Sequence, residues 1–181
     1  MKKYLTLIIT LIISLSCNES KNKKESIKKY KVSLNAKNDS GTSGLVTLTQ
    51  INNGKVELEA HIMGLNPGNH AIHIHEKADC SSIDGKSAGG HWNPTFENHG
   101  SWGSDDGFHR GDIGNFIADE NGHGMIEFST NLWCLNCDDS VKNIVGRSII
   151  IHDGEDDLVS QPSGAAGARV YCAGIIMDYK P

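Results

Sequence analysis

His73 and His75 flank a single isoleucine, and in an extended strand that spacing projects both imidazoles from one face while Ile72 and Ile74 point to the other. Two nitrogen donors side by side on a rigid strand are half of a metal site. His91, His99, His109 and Asp112 follow in a long irregular stretch and His152 closes a later apolar run, so that six of the nine histidines fall in this set. Nitrogen-rich donors with one carboxylate suit Cu(II) or Zn(II), whereas magnesium and calcium prefer oxygen. Seven candidate ligands are one short of two four-coordinate metals unless one ligand is shared. An imidazole that gives up both ring protons can be shared, because the second metal takes the place of the second proton.

The elements that must position these residues read as β. Val56, Leu58, Ala60 and Ile62 alternate with Glu57, Glu59 and His61, the period of a half-buried strand. Six of the other strand-like runs are Tyr30 to Ala36, Leu45 to Ile51, Asn69 to His75, Asp112 to Ala118, Gly124 to Ser129 and Arg147 to His152, and Arg169 to Asp178 is the last. Asn53-Gly54 and Asn121-Gly122 are hairpin turn signals, and Pro67-Gly68 marks another turn. Eight short strands at this spacing predict an all-β antiparallel Greek-key barrel or sandwich. Two stretches, Glu76 to Gly111 and Asp153 to Ala168, have no periodicity, and loops that long in a compact domain are functional or cross-linked.

The composition agrees with that reading. Across 181 residues, 20 glycines against 4 Phe and 3 Trp favour turns over a helical bundle. The net charge of −5 conceals an asymmetry: the first thirty residues hold seven lysines and two glutamates, which leaves 31–181 at −10. A domain of that sign excludes nucleic acid as a partner. Met1-Lys2-Lys3, an apolar run from Tyr4 to Ser16 and then Cys17 read as a signal peptide over 1–17, too short to span a bilayer. Cys17 resembles the acylated cysteine of a bacterial lipobox, with Ser14 where an aliphatic residue is usual; the alternative is an ordinary signal peptide cut nearby. Residues 18–30 read as a polar, solvated tether and 31–181 as the domain. The expectation is an exported protein of the periplasm or cell envelope, touching a membrane only through a lipid anchor. Setting Cys17 aside leaves Cys80, Cys134, Cys137 and Cys172, which can form two bridges in three connectivities.

In order along the chain, His73-Ile-His75-Glu76, Gly90-His91-Trp-Asn-Pro94, Asn98-His99-Gly100, His109-Arg-Gly-Asp112-Ile-Gly-Asn115, Ile150-Ile-His152 and Gly164-Ala-Ala-Gly-Ala-Arg169-Val-Tyr-Cys172-Ala-Gly174 resemble the motifs of the copper/zinc superoxide dismutases. The resemblance covers about residues 31 to 179. It implies one copper on His73, His75, His91 and His152, and one zinc on His91, His99, His109 and Asp112. It also implies a disulfide between Cys80 and Cys172, and it implies that Asp156 accepts hydrogen bonds from His73 and His99 and so fixes their rings. Asp157 beside it reads as a solvated acid.

The activity so implied is conversion of two superoxide anions to O₂ and H₂O₂, with copper alternately reduced and oxidised. His91 would hand a proton to the peroxide, and Arg169 would attract and orient the anion at the copper face. The stretch Leu158 to Ala168 carries no charge, where many relatives have acidic and lysine residues that steer the substrate. His70 matches a structural histidine of the family, and His61 and His123 read as surface residues. Trp133-Cys134-Leu-Asn-Cys137 is read as a local disulfide pair; a metal relay or a redox couple in the manner of thioredoxin are the alternatives. The rival to the enzyme is a copper-binding or copper-buffering lipoprotein on the same fold without turnover. A homodimer is compatible with the sequence, which does not fix the oligomeric state.

Overall fold

A computed structural model describes residues 27–37, 43–51 and 54–177. Eight strands run β1 (Lys28–Ala36), β2 (Ser43–Gln50), β3 (Val56–Met63), β4 (Gly68–His75), β5 (Asp112–Ala118), β6 (His123–Thr130), β7 (Ser148–His152) and β8 (Arg169–Gly174). They close into a barrel in the order β1-β2-β3-β6-β5-β4-β7-β8, every pair antiparallel, with β8 returning to β1. The chain crosses from β3 to β4 past two strands and from β6 to β7 past two more. These are the Greek-key connections, and closure leaves no sheet edge open.

All eight strands predicted from the pattern are present. β1 starts earlier than composition suggests: Lys28, Lys29 and Tyr30 pair with Gln50, Thr49 and Leu48, so these three residues belong to the barrel and not to the tether. Backbone pairing overrides their polarity because both lysines stay exposed, Lys29 on the outer face and Lys28 at the end of the barrel, where its ammonium donates to Leu135 O at 3.0 Å. β8 ends at Gly174, short of the predicted Asp178, which lies outside the described residues. Asn53 and residues 1–26, including Cys17, also lie outside them. Among the described residues no helix is long and apolar enough to cross a membrane.

The β3 pattern alternates buried and exposed without a fault, as its period-two sequence requires. Its inward residues Val56, Leu58, Ala60 and Ile62 meet Leu34, Val46, Leu48, Ile72, Ile74, Ile149, Ile151 and Tyr171 in one core. β4 departs from alternation: from His70 to His75 every residue is buried. Ile72 and Ile74 fill the barrel, while His73 and His75 leave from the other face and are covered from outside by the two long loops.

Those loops are tied down at several points. Cys80 forms a disulfide with Cys172 across a sequence separation of 92, and Ala88 packs with Ile150 and Cys172 against the outside of β7 and β8. The backbone around Trp92 and Gly111 zips onto the end of β4: Trp92 N–H donates to Ile74 O at 2.8 Å, Ile74 N–H to Gly111 O at 2.9 Å and Gly111 N–H to Trp92 O at 3.0 Å. Gly111 is needed there for its lack of a side chain, since a Cβ would lie 2.2 Å from the Ile74 carbonyl oxygen. The second disulfide, Cys134–Cys137, closes a turn between β6 and β7 next to buried Trp133.

Gly111→Ala should therefore destabilise the fold by about 1–3 kcal/mol through overpacking. Calorimetry would read this as a lowered melting temperature, and an unchanged one would contradict the close approach.

Candidate metal centre

β4 delivers His73 and His75, β7 ends on His152, and β5 begins on Asp112. The loop between β4 and β5 brings His91, His99 and His109 over them, with His75 and His91 paired as an isolated antiparallel bridge. All seven side chains predicted as ligands are buried. They fall into two groups, His73, His75, His91 and His152 in one and His91, His99, His109 and Asp112 in the other. Within each group the donor atoms lie within 4.8 Å of one another, and His91 belongs to both.

Each imidazole has two nitrogens, and in His73, His75, His91, His99 and His152 the structure assigns them opposite tasks. One nitrogen faces a protein acceptor. His73 Nε2 and His99 Nε2 donate to the two oxygens of Asp156 at 2.8 and 2.9 Å. His75 Nδ1 donates to Gly89 O at 3.0 Å, and His152 Nδ1 to Gly167 O at 3.3 Å. The other nitrogen is buried without a hydrogen bond: His73 Nδ1, His75 Nε2, His91 Nε2, His99 Nδ1, His109 Nδ1 and His152 Nε2. Buried nitrogens with no partner are costly unless a cation completes them. His91 Nδ1 faces Asp112 Oδ1 at 2.9 Å, so the two sides of one ring address the two groups. His99 Nδ1 and His109 Nδ1 lie 3.0 and 3.3 Å from the same carboxylate without hydrogen-bond geometry, as donor atoms converging on a common point would.

The donor set fits the expected metals. Four imidazole nitrogens suit copper, and three imidazoles with one carboxylate suit zinc. The supporting partners fix which nitrogen is free in each ring, the function of an outer shell around a metal.

The carboxylates are held in turn by backbone amides. Asp112 Oδ2 accepts from His109 N–H at 2.8 Å and Gly100 N–H at 3.2 Å, and Asp156 Oδ1 accepts from Leu158 N–H at 2.7 Å. Asn115 clamps the Asp156 backbone from both sides, through Asp156 N–H at 2.9 Å and Asp156 O at 2.8 Å. Gln161 does the same for His99, accepting from its N–H and donating to its O, each at 2.8 Å. Sequence reading gave Asn115 no role and passed over Gln161; a lone amide in an irregular loop carries no periodic signal. Gly164 sits behind Asp156 at φ +65°, where a Cβ would be 1.7 Å from Asp156 Oδ1. Asp157 is a loop cap, accepting from Val159 N–H and Ser160 N–H. His70 is buried between His152 O and Asn66 O, a structural bridge as expected, and His61 and His123 are on the surface.

Arg169 stands at the mouth. Its Nη1 and Nη2 donate to Gly85 O and Gly89 O at 2.8 Å each, so the Cys80 loop and the last strand fix the guanidinium between them. It lines a cavity of about 750 Å³ that reaches His75, His91 and His152. The uncharged stretch before Arg169 supplies Gln161, Pro162 and Ser163 to that cavity, and the second cation on its wall is Lys86, from the opposite loop. Lys86 is paired with Asp84 at 2.9 Å.

Burial holds His91 down to about 4 and His152 to about 3, and it pushes His75 well below its ordinary value. These rings are neutral at ordinary pH, the form a metal needs. For His99 burial works downward, but the neighbouring carboxylates of Asp112 and Asp156 outweigh it and raise the ring to about 9. Burial would raise Asp112 and Asp156, and their histidine partners hold both below the usual carboxylate range instead.

A closed eight-stranded barrel thus carries two adjoining nitrogen-rich clusters that share one imidazole, each able to hold a metal ion. Residues 42–175 match the copper/zinc superoxide dismutase (SODC) family, and the chain belongs to that family. It is 37% identical over 143 residues to superoxide dismutase [Cu-Zn] 5 of Dictyostelium discoideum, covering 75% of this chain and 90% of that one. It is also 35% and 36% identical to the copper chaperones for superoxide dismutase of Sus scrofa and Homo sapiens, over 74% of this chain but only 47% of each chaperone. This chain thus spans about half the length of those chaperones. Among solved structures it is similar to the clock protein EA4, with TM-score 0.70 and 33% identity over 82% of this chain and 94% of that one. A double mutant of a SOD-like protein from Bacillus subtilis superimposes with TM-score 0.72 and 28% identity, over 81% and 97%.

The titrations give a signed expectation for metal-free protein. Unfolded histidine takes a proton near 6.5, so the stability that His91 and His152 contribute is present above that pH and is lost as pH falls from 6.5 toward 4. His99 runs the other way: its contribution is full below 6.5 and is lost as pH rises through about 9. Metal-free protein should melt highest near neutrality and lower on both sides. A melting temperature that rises steadily from pH 5 to pH 9 would contradict this assignment.

Proposed function

We propose that this protein is a superoxide dismutase, converting two superoxide anions and two protons to O₂ and H₂O₂, with copper held by His73, His75, His91 and His152 and zinc by His91, His99, His109 and Asp112. One observation carries the reading: three rings of the four-histidine group, His75, His91 and His152, line one open cavity together with a fixed arginine. Copper supplies the one-electron chemistry when bound. The rest belongs to the chain. Arg169 presents an anchored positive charge that draws a small anion in and orients it. His91 Nε2 is the nitrogen at which the site can hold a proton for the reduced product. Asp156 keeps His73 and His99 in one tautomer through the cycle.

Its place in the cell is part of the same proposal. Two disulfides suit an oxidising compartment, and a signal peptide over 1–17 with acylation at Cys17 would set the domain on the envelope by the tether after it. The likeness to copper chaperones supports a second reading, a copper-binding protein without turnover. The complete set of seven ligand side chains together with Arg169 favours the enzyme.

Superoxide decay after pulse generation, with copper- and zinc-loaded protein, separates the two. Fast catalytic decay is expected; stoichiometric metal without turnover would leave the binding protein. Arg169→Ala should slow the reaction about tenfold or more at low salt while metal content is unchanged. Lys86→Ala should slow it less, by an amount that shrinks as salt is added, because that cation is exposed and already paired. Equal rates for wild type and Arg169→Ala would remove the guiding role.

A further inference from the structure

The outer face of β3 and β6 is built from an unusual set of side chains. His61 is directly opposite Met125, and Met63 is directly opposite His123. All four side chains are exposed, Met63 and Met125 by 52% and 58%. Period-two geometry puts His61 and Met63 on the same face of β3, and His123 and Met125 on the same face of β6. Directly opposed residues place their Cβ atoms about 5 Å apart and diagonal ones roughly 7 Å apart, so the four form one compact rectangle. Methionine has the torsional freedom to turn its thioether toward the centre. These large thioethers stand exposed on a barrel face, each paired crosswise with an imidazole, and contribute nothing to the core.

On the next rung Glu59 is directly opposite Glu127, both exposed, and Lys29 and His61 near Glu59 offset the repulsion. Glu59 Oε1 accepts from His61 Nε2 at 2.7 Å, which fixes that ring's tautomer and leaves the lone pair on Nδ1. A carboxylate behind a histidine is the outer-shell arrangement that makes imidazole a better ligand. Thioether with imidazole is a soft donor set that selects Cu(I) over harder divalent ions. None of these residues comes from β4, β7, β8 or the loops that form the buried centre.

We propose that His61, Met63, His123 and Met125 form a second, surface metal site that takes one Cu(I). The site needs no turnover at the buried centre and stands apart from the proposed dismutation. It presents the ion on the outer barrel face, whereas the buried ligands are reached through the cavity beside Arg169.

The test uses the full chain with its buried centre already filled by copper and zinc, titrated with Ag(I) as a redox-inert stand-in for Cu(I). Calorimetry should show one equivalent that Met63→Leu/Met125→Leu binds at least tenfold more weakly. Methionine methyl NMR of the wild type should show the Met63 and Met125 signals shifting together, while that of Met177, which packs against the Tyr30 hydroxyl, stays in place. Leucine replaces an exposed methionine at nearly constant volume, and the NMR arm needs no variant at all. Unchanged superoxide decay in the double variant would confirm that the surface site is separate from the buried one. Equal Ag(I) uptake by wild type and variant, or methyl signals that do not move, would overturn the site.

Discussion

Six histidines and two aspartates are buried together in one corner of this barrel, and the fold around them answers the demand that buried polar atoms find partners. Half of the demand is met by the protein. Asp156, Gly89 O and Gly167 O each take the proton of a ring nitrogen. The other half is left facing inward, at six nitrogens with no hydrogen bond. A stable metal-free core would not be built this way. The division of five of the six rings into a supported side and an open side makes this cluster two groups able to hold a metal ion, and His91, with one side toward each, belongs to both.

The barrel can offer such a corner because it separates stability from chemistry. Ile72, Ile74, Ile149 and Ile151 fill the interior from the same strands that carry His73, His75 and His152. The outer face of those strands is therefore free to hold ligands. Covering it takes two long loops, whose ordering entropy is offset by a disulfide, by the zipper between Ile74, Trp92 and Gly111, and by Gln161 and Asn115 on the backbone. The disulfide serves the site as well, because the loop it fixes supplies both carbonyls that hold Arg169.

Much of this was legible in the sequence, for a physical reason. Strand periodicity is a local property, so all eight strands could be read, and donor chemistry is a property of residue type, so the seven candidate ligands, which the fold gathers into two groups, stood out once His73 and His75 were placed on one face. Asp156 and the Cys80–Cys172 bridge came from the order of motifs alone. What escaped reading depends on contacts distant in sequence. Gln161 meets His99 across a separation of 62, and Lys86 reaches the cavity from the wall opposite the uncharged loop. The start of β1 was missed because charge was weighed above pairing with β2. His61 and His123 were read correctly as surface residues, but their cross-strand methionine partners emerge only from the register.

In the proposed centre one ring, His91, serves both metal positions through its two nitrogens. Anomalous diffraction from crystals of copper- and zinc-loaded protein, recorded at each metal's absorption edge, tests this directly. Two separate peaks are expected, copper on the His91 Nε2 side with His73, His75 and His152, and zinc on the Nδ1 side with His99, His109 and Asp112. A single peak, or two peaks of which only one lies against the His91 ring, would contradict it.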